Sequence, residues 1–248
     1  MTVIIPSRNE SAFVSGVVMG CWALRPRKIG LRFIVLDDNS TDDTPTILSG
    51  LAEELPVTVI RHDCSLGFGG SLRDGIERAE TPWLLFVDAD AQYSPEDIRD
   101  FLAYPRDSLT LLSGWRRHRA DPLIRIFISL VFRIMNRVAF GVRMKDITSS
   151  LKLVPTAQAK EVASQIRYMN GSFWSEFMVR WAGSGYTWKE VQIEHLPRKG
   201  SRSKVFEPGQ IGRLIVHQFV GFLKLLRELS TVKRQAGLPS ARQQEATH

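Results

Sequence analysis

Asp88 and Asp90 stand one residue apart at the end of the apolar run Trp83-Leu84-Leu85-Phe86-Val87, with Gln92 two positions further on. Alternate residues of an extended segment share a face. A turn after Val87 would therefore converge the two carboxylates on one cation, with Gln92 adding a neutral oxygen. Hard oxygen donors without a nearby His or Cys favour Mg2+ or Mn2+ over zinc. An isolated Asp-x-Asp after a strand reads as turn chemistry or a helix cap. Here the surrounding chain argues for a metal site.

Other residues along the chain could serve the same chemistry. Asp38 closes the run Phe33-Ile34-Val35-Leu36-Asp37 and could accept from a base or ribose. Gly67, Gly69 and Gly70 permit close backbone approach to a phosphate, although a plain loop reads the same way without a Walker lysine or a complete G-x-G-x-x-G. Arg116 opens a basic run through Arg119, and Arg198, Arg202 and Lys204 flank Gly200 in a second one. A glycine-containing basic segment of this kind can fold over a polyanion and be ordered by it. Asp146 or Glu176 would have to act as a base if the acceptor were a hydroxyl. Glu176 reads equally well as a residue that caps or orients its neighbours, and the isolated His195 and His217 read as structural.

The elements that position these groups follow from periodicity. Five consecutive apolar residues, Trp83 to Val87, suit a strand covered on both faces, and ligands of open α/β sheets bind beyond the carboxyl ends of such strands. Val3-Ile4-Ile5 is a short strand that Pro6 is expected to stop, followed by a helical stretch through Met19. Phe33–Leu36 and Val57–Ile60 are the next strands. Thr41-Asp42-Asp43-Thr44 caps the helix between them, with Pro45 in its first turn. A helix from about Ser71 to Ala79 precedes Trp83. Strand, loop and helix repeated three times predict a doubly wound, mostly parallel α/β sheet flanked by helices. Leu109–Trp115 reads as a further strand, and Ser172–Val179 as a helix beneath the acceptor site.

Two amphipathic helices follow in the second half. Over Leu123–Val138, Leu123, Ile126, Phe127, Leu130, Val131, Ile134, Met135 and Val138 recur at helical spacing, while Arg125, Ser129, Arg133 and Arg137 mark the other side. That pattern fits either a solvated face over a core stripe or a surface for anionic lipid or a lipid-linked phosphate. Gln210–Leu229 is a second such helix, packed on the domain or lying on a membrane surface. From about Val232 the polar tail to His248 reads as disordered.

The 248 residues form one domain over 1–231, with a nucleotide-sugar half at 1–100 and an acceptor half at 101–231. The net charge of +7 calls for an anionic partner. Nucleic acid is disfavoured because the basic clusters lack interleaved aromatics and any recognised binding motif. Cys21 and Cys64 lack disulfide-scaffold or metal spacing, no signal peptide is visible, and no apolar stretch is long enough to span a bilayer. A cytoplasmic protein, peripheral on the cytoplasmic face of a membrane, is expected.

Four ordered segments over roughly residues 2 to 100 carry a resemblance. Pro6-Ser7-Arg8-Asn9-Glu10, Leu36 to Asp42, the Gly67 to Gly75 loop, and Val87 to Gln92 resemble the successive nucleotide-sugar motifs of inverting family 2 glycosyltransferases of the GT-A fold. Asp146 to Leu153 and Glu194 to Lys204 are similar to acceptor-side segments of polyprenyl-phosphate glycosyltransferases, including dolichol-phosphate mannosyltransferases. The resemblance implies that Pro6, Arg8, Glu10, Leu36 and Asp38 are donor-nucleotide positions and that the backbone of Asp88, Ala89 and Asp90 lies beside the diphosphate. It also implies that Asp88, Asp90 and Gln92 hold Mg2+ or Mn2+, while Arg116, Arg198, Arg202 and Lys204 bind donor or lipid phosphates. Arg8 and Phe68 depart from the residues frequent in the family. The implied partners are a nucleotide-diphosphate sugar, a polyprenyl-phosphate acceptor, and an anionic membrane surface or a membrane-anchoring protein. Two other readings stand beside this one: transfer to a soluble hydroxyl or a polysaccharide, and non-catalytic binding of a nucleotide sugar or anionic lipid.

Overall fold

The computed structural model describes residues 1–106, 110–117, 123–197 and 208–235. Its first half alternates strand and helix: β1 (Thr2–Ser7), α1 (Val14–Leu24), β2 (Arg32–Asp37), α2 (Thr44–Glu54), β3 (Val57–Arg61), α3 (Gly67–Arg78), β4 (Trp83–Phe86) and α4 (Pro95–Ala103). The second half comprises β5 (Thr110–Arg116), α5 (Leu123–Phe140), β6 (Lys152–Pro155), α6 (Thr156–Gln165), a 3-10 turn at Asn170–Ser172, α7 (Phe173–Gly183), β7 (Thr187–Ile193) and α8 (Pro208–Gln235). The seven strands form one sheet in the order β3-β2-β1-β4-β6-β5-β7.

The β1–β2, β2–β3, β1–β4 and β5–β7 pairs are parallel, whereas β6 lies antiparallel between β4 and β5. The expected parallel half is therefore present, and a reversed strand joins it to the second half. This arrangement brings the carboxyl ends of β1, β2 and β4 to one edge, where the acidic residues collect. Three non-glycine residues adopt left-handed backbone there: Asn9 (φ 55°), Asn39 (φ 58°) and Ala91 (φ 56°), each just after one of those strands. Asn tolerates that conformation, whereas Ala meets a steric penalty of about 1 kcal/mol. The turn holding Ala91 is thus forced by its surroundings.

Two apolar layers hold the sheet. On one face α1, α2 and α4 cover Val3, Ile5, Val35, Leu85 and Leu153. On the other, α3, α6, α7 and α8 cover Ile4, Leu36, Leu84 and Phe86. Successive residues of one strand feed opposite layers, as expected for a sheet buried on both sides. Helix α7 is buried almost all round and supplies an aromatic series, with Trp174 edge-on to Phe86 at 4.9 Å and Phe177 stacked on Trp181 at 5.8 Å. Each large side chain so buried contributes about 1.5–3 kcal/mol.

Several boundaries differ from the expectations: α1 runs to Leu24, past Met19, and α7 spans Phe173–Gly183. Strand β1 continues through Pro6 to Ser7, because β4 pairs with β1 only as far as Ile4 and the missing N–H breaks no bond on that side. Helix α3 begins at Gly67, not Ser71. Its Gly69 packs against the Asn170 turn, where a Cβ would lie 2.5 Å from the Asn170 carbonyl oxygen. These glycines thus serve helix packing. Helix α8 runs to Gln235, past the expected start of the tail at Val232, and residues 236–248 lie outside the described residues. No described helix is long and apolar enough to cross a membrane.

Candidate active site

The site is assembled by ties between strand-end loops. Asn9 Oδ1 accepts from the Thr41 amide at 2.8 Å, and the Asn9 amide donates to Ser40 Oγ at 2.9 Å, which joins the loops after β1 and β2. Arg8 donates to Ser65 Oγ at 2.8 Å, and Ser65 donates to Asp38 Oδ2 at 2.6 Å, bringing in the loop before α3. The Val87 amide donates to the Ile4 carbonyl, which sets Asp88 beside the end of β1. Gln92 Nε2 donates to the Leu196 carbonyl at 2.9 Å, and Tyr93 bridges His195, so the carboxylate turn is also fastened to the chain just before the Arg198 segment.

Asp88 and Asp90 are half-buried, and they differ in surroundings. Tyr93 donates to Asp88 Oδ2 at 3.0 Å, and Ser150 is a second hydrogen-bond partner. Burial raises the Asp88 pKa, against the opposing pull of those two bonds and of Arg116 and Lys152. Asp90 Oδ1 accepts from the Gln92 amide at 3.3 Å, which tightens the Ala91 turn. The Gln92 side-chain nitrogen is engaged with Leu196, leaving its carbonyl oxygen as the end able to meet a cation. Among the described residues no three His, Cys, Asp or Glu side chains form a metal-binding group. Two carboxylates and an amide oxygen nevertheless fit Mg2+ or Mn2+, ions that commonly combine one or two protein carboxylates with substrate phosphate oxygens.

The positions expected to meet the donor nucleotide are brought together but differ in availability. Pro6 and Leu36 are register partners at the β1–β2 edge, and Arg8 is exposed. The Glu10 carbonyl accepts from the Phe13 and Val14 amides at the start of α1. The Leu36 side chain is wholly buried in the core. Asp38 accepts from His62 Nδ1, Ser65 Oγ, and the Leu66 and Gly67 amides. Burial would raise its pKa, but those four bonds outweigh it and hold the carboxyl low. A nucleotide contacting Asp38 would share or displace one of those donors.

In the second half of the chain, Arg116 grips Asp146 with two bonds, Nε to Oδ2 at 2.7 Å and Nη2 to Oδ1 at 3.1 Å. Thr148 donates to Asp146 Oδ1 at 3.0 Å, and Glu190 accepts from the Lys145 and Asp146 amides. Glu176 is completely buried. It accepts from the Arg167, Tyr168 and Met169 amides and from Arg180, which in turn reaches Glu228 on α8 at 3.0 Å. The reading of Glu176 as an orienting residue matches this geometry. Arg198, Arg202 and Lys204 lie outside the described residues.

Sequence reasoning overlooked Tyr93, Ser150, His62 and Lys152. Tyr93 and His62 belong to no short motif, whereas Ser150 and Lys152 lie within the Asp146 to Leu153 segment without a chemistry-bearing spacing of their own. Lys152 alone left a signal, as a cation within the apolar run Leu151-Lys152-Leu153-Val154.

A parallel α/β half with acids at its strand ends, joined through a reversed strand to a second half, is the architecture of GT-A glycosyltransferases. The chain belongs to glycosyl transferase family 2, whose profile matches residues 2–146, more than half of its length. An uncharacterised glycosyltransferase of Mycobacterium tuberculosis is 26% identical over 209 residues, covering 83% of this chain and 89% of that protein. A dodecaprenyl-phosphate galacturonate synthase of Rhizobium johnstonii is 28% identical over 169 residues, covering 65% of this chain but 49% of that protein. An undecaprenyl-phosphate 4-deoxy-4-formamido-L-arabinose transferase of Shewanella sediminis is 24% identical, covering 61% of this chain and 47% of its own. Among solved structures, glucosyl-3-phosphoglycerate synthase of Mycobacterium tuberculosis in complex with uridine diphosphate superposes with a TM-score of 0.66 at 15% identity. That superposition covers 97% of this chain and 81% of the other, and establishes the shared fold.

Proposed function

We propose that this family 2 enzyme transfers a glycosyl group, with inversion, from a nucleoside-diphosphate sugar to a polyprenyl phosphate at an anionic membrane surface. One observation carries the choice of acceptor. Both acceptor-side carboxylates weighed as bases are committed elsewhere, Asp146 to Arg116 and Glu176 to Arg180 and three amides. A hydroxyl acceptor needs a base to take its proton. A phosphate acceptor brings an oxygen that is already anionic. The Rhizobium and Shewanella relatives, whose names specify polyprenyl phosphates, support the same reading.

Asp88, Asp90 and Gln92 would hold Mg2+ or Mn2+. When bound, that ion neutralises the charge developing on the leaving diphosphate. Pro6, Arg8, Glu10 and Asp38 bind the nucleotide, while Leu36 supports that edge and the Ala89 backbone lies beside the diphosphate. Arg116, set by Asp146, binds phosphate, and Arg198, Arg202 and Lys204 complete that positive side. Asp146 thus acts through Arg116 and takes no proton. Incubation with Mn2+, labelled sugar nucleotides and a short polyprenyl phosphate tests the proposal. Label extracted into organic solvent is the expected product. Water-soluble product would indicate a hydroxyl or polysaccharide acceptor, and binding without turnover a non-catalytic protein.

A further inference from the structure

Lys152 opens β6 and is wholly buried, in register with Phe86 of β4 and Ser113 of β5. Its Nζ donates to Ser113 Oγ at 3.0 Å and to the Ser149 backbone carbonyl, and lies 5.0 Å from the centre of the Trp174 ring. Desolvation pushes its pKa down to about 7, with the charges of Asp146, Glu190 and Asp88 pulling the other way and that of Arg116 adding to the depression. An apolar side chain of similar length at this position, beside Phe86 in register and within reach of the Trp174 ring, would desolvate no charge. Replacing a buried ion by a well-packed apolar residue is often neutral or stabilising. Core stability alone therefore gives this lysine no reason to be charged.

Its contacts point to another role. Ser149 lies in the segment 146–150, whose ends serve different groups. Asp146 and Thr148 engage Arg116, whereas Ser150 bonds Asp88. The carbonyl held by Lys152 lies between those two sets of contacts, and the ammonium's second bond ties it to β5, the strand that ends in Arg116.

We propose that Lys152 is a positioning residue: by fastening the Ser149 carbonyl to β5, it fixes the 146–150 segment so that Asp88 and Arg116 address the same ligand. It touches no substrate itself. Its effect passes through Ser150 to Asp88 and through Asp146 to Arg116.

The test compares the wild-type chain with Lys152→Met by hydrogen exchange and kinetics. In the variant, amides 147–151 should exchange about tenfold faster while those of α2 stay unchanged. Turnover should fall about tenfold or more, as small misplacements of reacting groups do, with the donor KM within about threefold of wild type. The unfolding midpoint should not fall, which separates positioning from core support. Wild-type exchange at 147–151, or wild-type kcat in the folded variant, would overturn the proposal. If Lys152→Met does not fold, Ser113→Ala removes one anchor and should show the same pattern more weakly; unaltered exchange there overturns it equally. The kinetic arm rests on the glycosyl-transfer reading, and the exchange arm does not. A wild-type protein without turnover would sink that reading, and an unaltered exchange pattern would sink this one.

Discussion

At the scale of single residues, the two carboxylates of the opening motif have different surroundings. Asp88 is tied to Tyr93 and Ser150, whereas Asp90 tightens the turn that presents Gln92. Asp90→Ala should lower turnover by at least about a hundredfold, the scale of losing a main electrostatic stabiliser, and should weaken Mn2+ binding. Near-normal turnover would remove the metal assignment. Glu176→Gln is expected to do the reverse. It leaves the Arg180 charge poorly paired in the core, costing about 3 kcal/mol of stability, while the folded fraction keeps its turnover. Calorimetry and assay at low temperature separate the effects, and lost turnover with an unchanged unfolding midpoint would make Glu176 the base. Asp38, Asp88 and Asp90 were legible in the sequence because each lies within three residues of the end of an apolar run. Their partners His62, Ser65 and Ser150 were not, because those contacts depend on how distant loops meet.

At the scale of elements, left-handed residues and carboxylate caps shape the site edge. Asp42 accepts from the Thr44 amide at 3.0 Å and the Ser11 amide at 3.2 Å, which joins the start of α2 to the loop before α1. Burial would raise its pKa, but the bonds from Thr44 and Ser11 outweigh it and lower it to about 2. A carboxyl depressed on folding adds stability above its unfolded pKa, and that stability is lost as pH falls towards 2. Because Asp42 is exposed, its share is about 1 kcal/mol at most. Asp42→Ala should therefore lower stability at pH 7 by roughly that amount and hardly at all near pH 2, as urea titrations at the two pH values can check. An equal loss at both would show that the charge is not involved. The first three strands and the β4 run could be read from periodicity. Strand β6 could not, because four residues carrying a buried lysine have no alternating pattern, and its reversed direction arises only from pairing with β4 and β5.

At the scale of the whole molecule, α5 and α8 meet through Phe140 and Phe222, whose rings lie 5.1 Å apart. Beyond that contact they expose Leu130, Val131, Ile134 and Val138 on α5, and Val216, Phe219, Val220 and Leu223 on α8. Val138 is 80% exposed, and Arg133, Arg137 and Lys224 are exposed on the same helices. Apolar residues beside cations suit the boundary of an anionic bilayer. Vesicles containing phosphatidylglycerol should sediment the protein, less so at high salt, and Ile134→Glu with Val138→Glu should release it. Equal sedimentation of that variant would place any membrane contact elsewhere. The amphipathic pattern was legible, but the sequence could not separate the outward face from the core stripe: Phe132 and Phe222 turn inward while their neighbours remain exposed.

The central claim is that the acceptor arrives with its charge, so that no protein base is needed. Assays with one sugar nucleotide, Mn2+ and either a polyprenyl phosphate or the alcohol of the same chain length test it most directly. Rapid transfer to the phosphate and none to the alcohol is the predicted result, and comparable transfer to both would contradict it.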